Sequence, residues 1–144
     1  MKLDERGYEA LHQREGLRLK PYLDTKGIPT IAMGNTYYLD GKKVTMKDKP
    51  LTLKEAEELG KITADKFAKQ VDTLVKSKVN QNQFNALVSL AYNIGINGFK
   101  NSTVLRLVNS NPNILSIKKA FMMWTKNKEL IERRESEVKQ YFKL

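Results

Sequence analysis

An α+β fold, mainly α-helical, is predicted by three features of this 144-residue chain. Short apolar alternations broken by the turn signals Asp24-Thr25-Lys26-Gly27 and Asp40-Gly41 are confined to the first fifty residues, as expected of small antiparallel hairpins. From Thr52 to about Lys78 one apolar stripe recurs at helical spacing, and after Asn80 the chain reads as successive helices punctuated by Gly95 and Asn111-Pro112. The length suits one domain over residues 1–144. It divides into an N-terminal lobe with hairpins (1–50), a connecting helix (52–78) and a helical lobe (80–144), with a cleft expected between the lobes.

The elements follow in order. Tyr8, Ala10 and Leu11 lie at roughly helical spacing from Asp4 onward, so Glu15 falls in the last turn of a first helix that Gly16 stops. Leu19, Pro21 and Leu23 then alternate with Arg18, Lys20 and Tyr22, and Ile28 to Ile31 returns as the second strand. This places Asp24 at a hairpin tip and Thr30 on the opposite arm. Tyr37 to Leu39 and Lys42 to Val44 flank Asp40-Gly41, a two-residue hairpin expected to complete a small sheet. After the break at Lys47-Asp48-Lys49-Pro50, Thr52 and Glu55 form a capping box for the connecting helix. Its Gly60 costs roughly 1 kcal/mol relative to Ala and is read as a bend.

Asn80 or Asn82 caps a helix that is apolar almost all round from Phe84 to Ile94, which makes it the core helix. Ser102 opens a short helix carrying Val104, Leu105 and Val108. Ser116 caps the next, with Ile117, Ala120, Phe121 and Trp124, the last read as core filler. Leu130, Ile131, Val138, Tyr141 and Phe142 line the final helix.

Glu15 and Asp24 are the candidate reacting groups. Glycoside hydrolysis needs one protonated carboxyl to donate to the leaving oxygen and one ionised carboxylate on the opposite face. Glu15 suits the acid, because the negative end of its helix dipole disfavours its charge by roughly 0.3 to 1 kcal/mol. Asp24 on a solvated turn suits the base, and the Thr30 hydroxyl suits a water held against it. By spacing alone, the pair also reads as a helix-end charge and a turn-forming Asp.

The wider pattern is more specific. Glu15-Gly16, with eight residues between Glu15 and Asp24 and five more before Thr30, then Thr30-Ile31 and Gly34 three residues on, resembles the catalytic signature of the phage-type lysozymes, the muramidase endolysins of T-even and lambdoid phages. Leu87 to Gly95, Gly98 to Arg106, Trp124 and Arg133-Arg134 with Glu137 resemble later blocks of that family, so the likeness runs from about Tyr8 to Phe142. It implies a lysozyme-like fold and hydrolysis of the β-1,4 bond between N-acetylmuramic acid and N-acetylglucosamine with inversion. It further implies Glu15 as general acid, Asp24 as the carboxylate that activates water or stabilises the sugar cation, and Thr30 as water-positioner. Tyr92 and Ser102 fall at sugar-contacting positions, with a half-buried core aromatic and a helix N-cap as the other readings. Arg134 fits an Arg that approaches the acid in the family, and Gly34 is a supporting position. The chain departs from the family in reading Ala32-Met33-Gly34-Asn35 where Gly-x-Gly-His is usual. Ala32 is expected to be tolerated as a strand residue, and Asn35 to put a structural contact in doubt.

Composition bounds the alternatives. With no Cys there is neither a disulfide framework nor a thiol nucleophile. The single His12 is read as a surface helix residue and not as a proton relay. No spacing of His, Cys or carboxylates resembles a metal site, and no cofactor is implied. Of the formal charge of +10, residues 1–60 carry 11 Lys and Arg against 10 acids, whereas residues 61–144 carry 15 against 6. A basic C-terminal half favours an anionic envelope polymer, peptidoglycan being the expected partner. Specific nucleic-acid binding is not expected, since no zinc-finger, RNP-like or Gly-x-x-Gly pattern is present.

The charged amino end and the absence of eighteen consecutive apolar residues predict neither a signal peptide nor a membrane span. The expectation is a monomer made in the host cytoplasm that reaches the cell wall or periplasm with the help of a holin. Two other readings stay open: a non-catalytic peptidoglycan-binding protein of the same fold, and a cationic protein that lyses through membranes.

Overall fold

The structure, a computed structural model, describes residues 1–143. Its elements are α1 (Glu5–Glu15), β1 (Arg18–Leu23), β2 (Pro29–Ala32), α2 (Leu53–Leu74), α3 (Gln81–Ile94), α4 (Ile96–Lys100), α5 (Thr103–Ser110), α6 (Ser116–Phe121) and α7 (Lys128–Tyr141). The chain divides into two units, residues 8–65 and residues 1–7 with 66–144, the boundaries falling inside α1 and α2. Among the described residues no helix is long and apolar enough to cross a membrane.

In the unit of residues 8–65, α1 ends where Gly16, at φ +76°, donates its N–H to His12 O at 2.9 Å. The left-handed backbone there suits a residue without a Cβ. β1 and β2 pair antiparallel with Tyr22 opposite Thr30 and Leu23 opposite Pro29, and the register slips between Tyr22 and Arg18. Pro21 lies in the slipped stretch and has no N–H for the ladder, which accounts for its place there. Ile31, Ala32, Val44, Ala56 and Leu59 form the core of this unit.

The expected second hairpin is present but adds no strand to the sheet. Tyr37 and Lys43 form an isolated bridge, and Tyr38 N donates to Lys42 O at 2.9 Å, so the loop spans three residues, Leu39 to Gly41, instead of two. Gly41 at φ +85° supplies the left-handed residue of a three-residue connection, and Asp40 Oδ1 accepts from Lys42 N at 2.9 Å.

The α2 capping box forms as expected: Thr52 Oγ1 accepts from Glu55 N at 3.2 Å, and Glu55 Oε1 accepts from Thr52 N at 2.9 Å. Gly60 has a packing role that helical spacing does not show. A Cβ there would lie 3.0 Å from Met33 Sδ and 3.4 Å from His12 Nε2, so it is a close-packing position.

In the other unit, α2 stops at Leu74, short of the expected Lys78, because a distant side chain takes over its end. Asn109 Nδ2 donates to Leu74 O at 3.0 Å, while Asn109 Oδ1 accepts from Lys76 N at 2.7 Å. Asn80 is the cap of α3, with a full capping box to Gln83, and every residue from Gln83 to Ala91 is buried. α3 packs against α7 and α4, and α6 packs against α5 and α7. α6 begins at Ser116, but the cap position is Leu115, so Ser116 does not cap it. The fully buried side chains of α7 are Arg134, Glu137 and Tyr141, whereas Ile131 is exposed; the inward stripe is therefore mostly ionic instead of apolar.

Candidate active site

Glu15, Asp24, Thr30 and Gly34 all belong to the unit of residues 8–65. Glu15 is the last residue of α1 and half-buried. Asp24, also half-buried, organises the β1–β2 turn: its Oδ1 accepts from Lys26 N at 2.8 Å and Ile28 N at 2.9 Å, and its O accepts from Gly27 N at 2.9 Å. Both side-chain bonds fall on one oxygen, which leaves Oδ2 outside the turn's own bonding. Thr30 is 3% exposed, and its Oγ1 donates to Ile28 O at 2.8 Å.

Tyr22 connects these groups, and the sequence reading did not single it out. It stands opposite Thr30 in the sheet and two residues before Asp24. Burial raises its hydroxyl above the ordinary value of 10; Arg18 opposes the rise, and the charges of Asp24 and Glu15 add to it. Tyr22 therefore lies within electrostatic range of both carboxylates. The Arg18 guanidinium sits 4.7 Å from the Tyr22 ring centroid. Alternation on β1, four residues apart, was the available signal, but it does not show that the strand slips between them.

The two departures in the following turn have definite consequences. Ala32 has φ +58°, so it is no ordinary strand residue; it holds a left-handed conformation that disfavours any Cβ. Asn35 supplies contacts instead of losing one. It is 8% exposed, its Oδ1 accepts from Met33 N at 3.2 Å, and its Nδ2 donates to Leu59 O at 3.1 Å and Thr63 Oγ1 at 2.8 Å. Gly34 is exposed at φ +86° within the same turn. His12 is half-buried, with its Nε2 facing Gly60, and so is less of a surface residue than expected.

Tyr92, Ser102 and Arg134 lie in the other unit. Tyr92 is half-buried, its ring centroid 4.7 Å from that of Phe67. Ser102 caps α5: its Oγ accepts from Leu105 N at 3.1 Å and donates to Phe99 O at 2.7 Å. It also lines a surface depression of about 320 Å³ with Lys100, Arg106 and Asn109. Arg134 donates to Asn93 Oδ1, and its Nε lies 3.1 Å from Glu137 Oε1. Trp124 is half-buried beside Gly98, where a Cβ would lie 3.5 Å from its Cη2.

The charge is as uneven between the units as along the chain. Residues 8–65 hold 10 Lys and Arg against 9 acids, and residues 1–7 with 66–144 hold 16 against 7.

The sequence model of the phage lysozyme family matches residues 12–137. The chain is 39% identical over 126 residues to the endolysin of Salmonella phage P22, a match covering 88% of this chain and 85% of that one. Among solved structures, a P22 lysozyme mutant superposes with a TM-score of 0.89 at 36% identity over 99% of both chains. The muramidase domain of SpmX from Asticaccaulis excentricus does so with a TM-score of 0.86 at 29% identity, again over 99% of both.

Proposed function

Because the chain belongs to the phage lysozyme family, whose members hydrolyse bacterial peptidoglycan, we propose that it cleaves the β-1,4 bond between N-acetylmuramic acid and N-acetylglucosamine, with Glu15 and Asp24 as the reacting pair. The observation that supports this reading is the hairpin itself, whose register sets Tyr22 opposite Thr30 and two residues before Asp24, directly after the helix that ends at Glu15.

Glu15 gives its proton to the glycosidic oxygen, and the sugar develops oxocarbenium character. A water on the opposite face gives one hydrogen to Asp24, whose Oδ1 is already held by the turn. Since the Thr30 hydroxyl hydrogen is spent on Ile28 O, Thr30 Oγ1 serves the same water as an acceptor, and the water's lone pair is left for the anomeric carbon. Inversion requires room for that water, with the carboxyls about 6.5 to 9.5 Å apart.

Tyr92 and the Ser102 region are assigned to sugar contacts, and Arg134 and Gly34 to support. The strongly basic unit speeds encounter with an anionic wall in a salt-dependent way. The protein acts as a monomer, and a holin gives it passage from cytoplasm to wall.

Anomer analysis of products from purified peptidoglycan, for the parent and Glu15→Gln, tests the reading. The parent is expected to release new reducing ends of inverted configuration, and Glu15→Gln none. A Glu15→Gln protein that still cleaves overturns the assignment. An anhydro product or a retained anomer overturns inversion, and a parent that binds peptidoglycan without releasing reducing ends leaves the non-catalytic reading.

A further inference from the structure

The turn that follows Thr30 holds a strained residue in place with bonds that lie outside the reacting groups. Ala32 is 1% exposed at φ +58°. Ile31 and Asn35 exchange two backbone hydrogen bonds of 2.9 Å each, which closes a three-residue loop around Ala32, Met33 and Gly34. Inside that loop the buried Met33 N–H finds its acceptor in Asn35 Oδ1, and both remaining Asn35 bonds go to α2. Met33 packs on Gly60 of the same helix, where a Cβ would come within 3.0 Å of its sulfur. A strained backbone persists only where its surroundings over-determine it, and such strain gathers at functional sites.

We propose that Asn35 is a positioning residue: its side chain latches the strained Ala32 turn to α2 and so fixes β2, with Thr30, opposite Tyr22 and beside Asp24. The inference rests on the assignment of Glu15, Asp24 and Thr30 given above. Without the Asn35 amide, the strained turn loses its side-chain bonds to α2, and the Met33 N–H loses this acceptor. The turn relaxes, and Thr30 leaves its place. A displacement on the order of an ångström at a reacting water lowers turnover by up to about a hundredfold while leaving sugar binding elsewhere intact.

The test measures kcat and KM separately on solubilised peptidoglycan, at a temperature where circular dichroism shows each variant folded. Asn35→Ala is expected to lower kcat by about tenfold or more, with KM changed by less than about twofold. Adding Ala32→Gly, which removes the strain that the amide opposes, is expected to return kcat toward the parent value. A folded Asn35→Ala protein with parental kcat, or a loss that Ala32→Gly does not recover, overturns the latch. Should Asn35→Ala not fold, Asn35→Asp keeps the acceptor for Met33 but severs the donation to α2. It must lower kcat, and a parental kcat overturns the proposal. Glu15→Gln measured alongside separates two failures: if it stays active, the carboxylate assignment falls, whereas an inactive Glu15→Gln beside a fully active Asn35→Ala overturns the latch alone.

Discussion

Ser89 Oγ donates to Glu137 Oε2 at 2.5 Å, joining the middle of α3 to the last helix through a carboxylate that is fully buried. The same oxygen accepts from Arg133 Nε at 3.2 Å, Arg133 Nη2 donates to Ser89 O at 3.0 Å, and Arg134 Nε lies 3.1 Å from Glu137 Oε1. One anion thus compensates two guanidinium groups inside the unit. Glu137→Ala, which removes the buried carboxylate shared by the two guanidinium groups, is expected to destabilise by about 3 to 5 kcal/mol, whereas Ser89→Ala, which removes one hydrogen bond, costs about 1 to 3 kcal/mol. Urea unfolding midpoints check the order, and equal losses would count against a shared ionic network.

Ala32 separates strain from packing. Left-handed backbone costs a residue with a Cβ roughly 1 to 2 kcal/mol. Ala32→Gly relieves that but gives up a buried methyl worth about 0.8 kcal/mol and adds unfolded-chain freedom worth about 0.5 to 1 kcal/mol. The terms offset, so Ala32→Gly should stay within about 1 kcal/mol of the parent. Ala32→Val, β-branched and enclosed, should lose about 2 kcal/mol or more. Thermal unfolding of both variants decides this; a Val protein as stable as the Gly protein would deny the strain.

Tyr38 makes the stability of its hairpin sensitive to alkali. Burial pushes its hydroxyl from 10 to about 12, aided by the bond to Asp48 Oδ2 at 2.7 Å. The folded state holds that proton more tightly, so the contribution is complete below pH 10 and is lost as pH rises toward 12. Asp48 has the opposite sign. Bonds from the Thr45 hydroxyl and N–H, then from Tyr38, hold its carboxyl below the usual range, so its contribution is present above about pH 4 and fades as acid protonates it. Tyr38→Phe is expected to flatten the alkaline limb of the melting temperature against pH between 10 and 12. Burial also raises Tyr141, so the informative quantity is the difference between parent and variant.

Asp24→Asn preserves an oxygen for Lys26 N and Ile28 N, and the turn should therefore survive. What is lost is the proposed base, with an expected fall in kcat of about 10²- to 10⁴-fold. Cell-wall clearing and reducing-end release measure it together. If both persist at parental rate in a folded protein, Asp24 is only a turn residue.

Much of the fold is legible locally. Glu15 at a helix end, Asp24 in a turn and the Thr52 and Glu55 capping box follow from bonds made within a few residues, and the structure has them where the pattern requires. The errors lie where distant residues compete. Asn109 truncates α2 at Leu74 from thirty-five residues away. Gly60 answers to Met33 and His12, not to its own helix. The buried face of α7 is ionic because Ser89 and Asn93 on α3 meet it, which no periodicity of apolar residues within α7 can reveal.

The amino-acid order by itself determined the mainly helical α+β class, the local settings of Glu15 and Asp24 and the family likeness, since these rest on short-range backbone preference and on motif spacing. Only the tertiary structure decided that Ala32 is strained, that Asn35 bonds across twenty-four and twenty-eight residues to α2, and that Tyr22 stands opposite Thr30. Those outcomes depend on strand register and on the close approach of segments remote in sequence. Their energies are set by which buried polar groups find partners, and that choice is made only when the chain closes on itself.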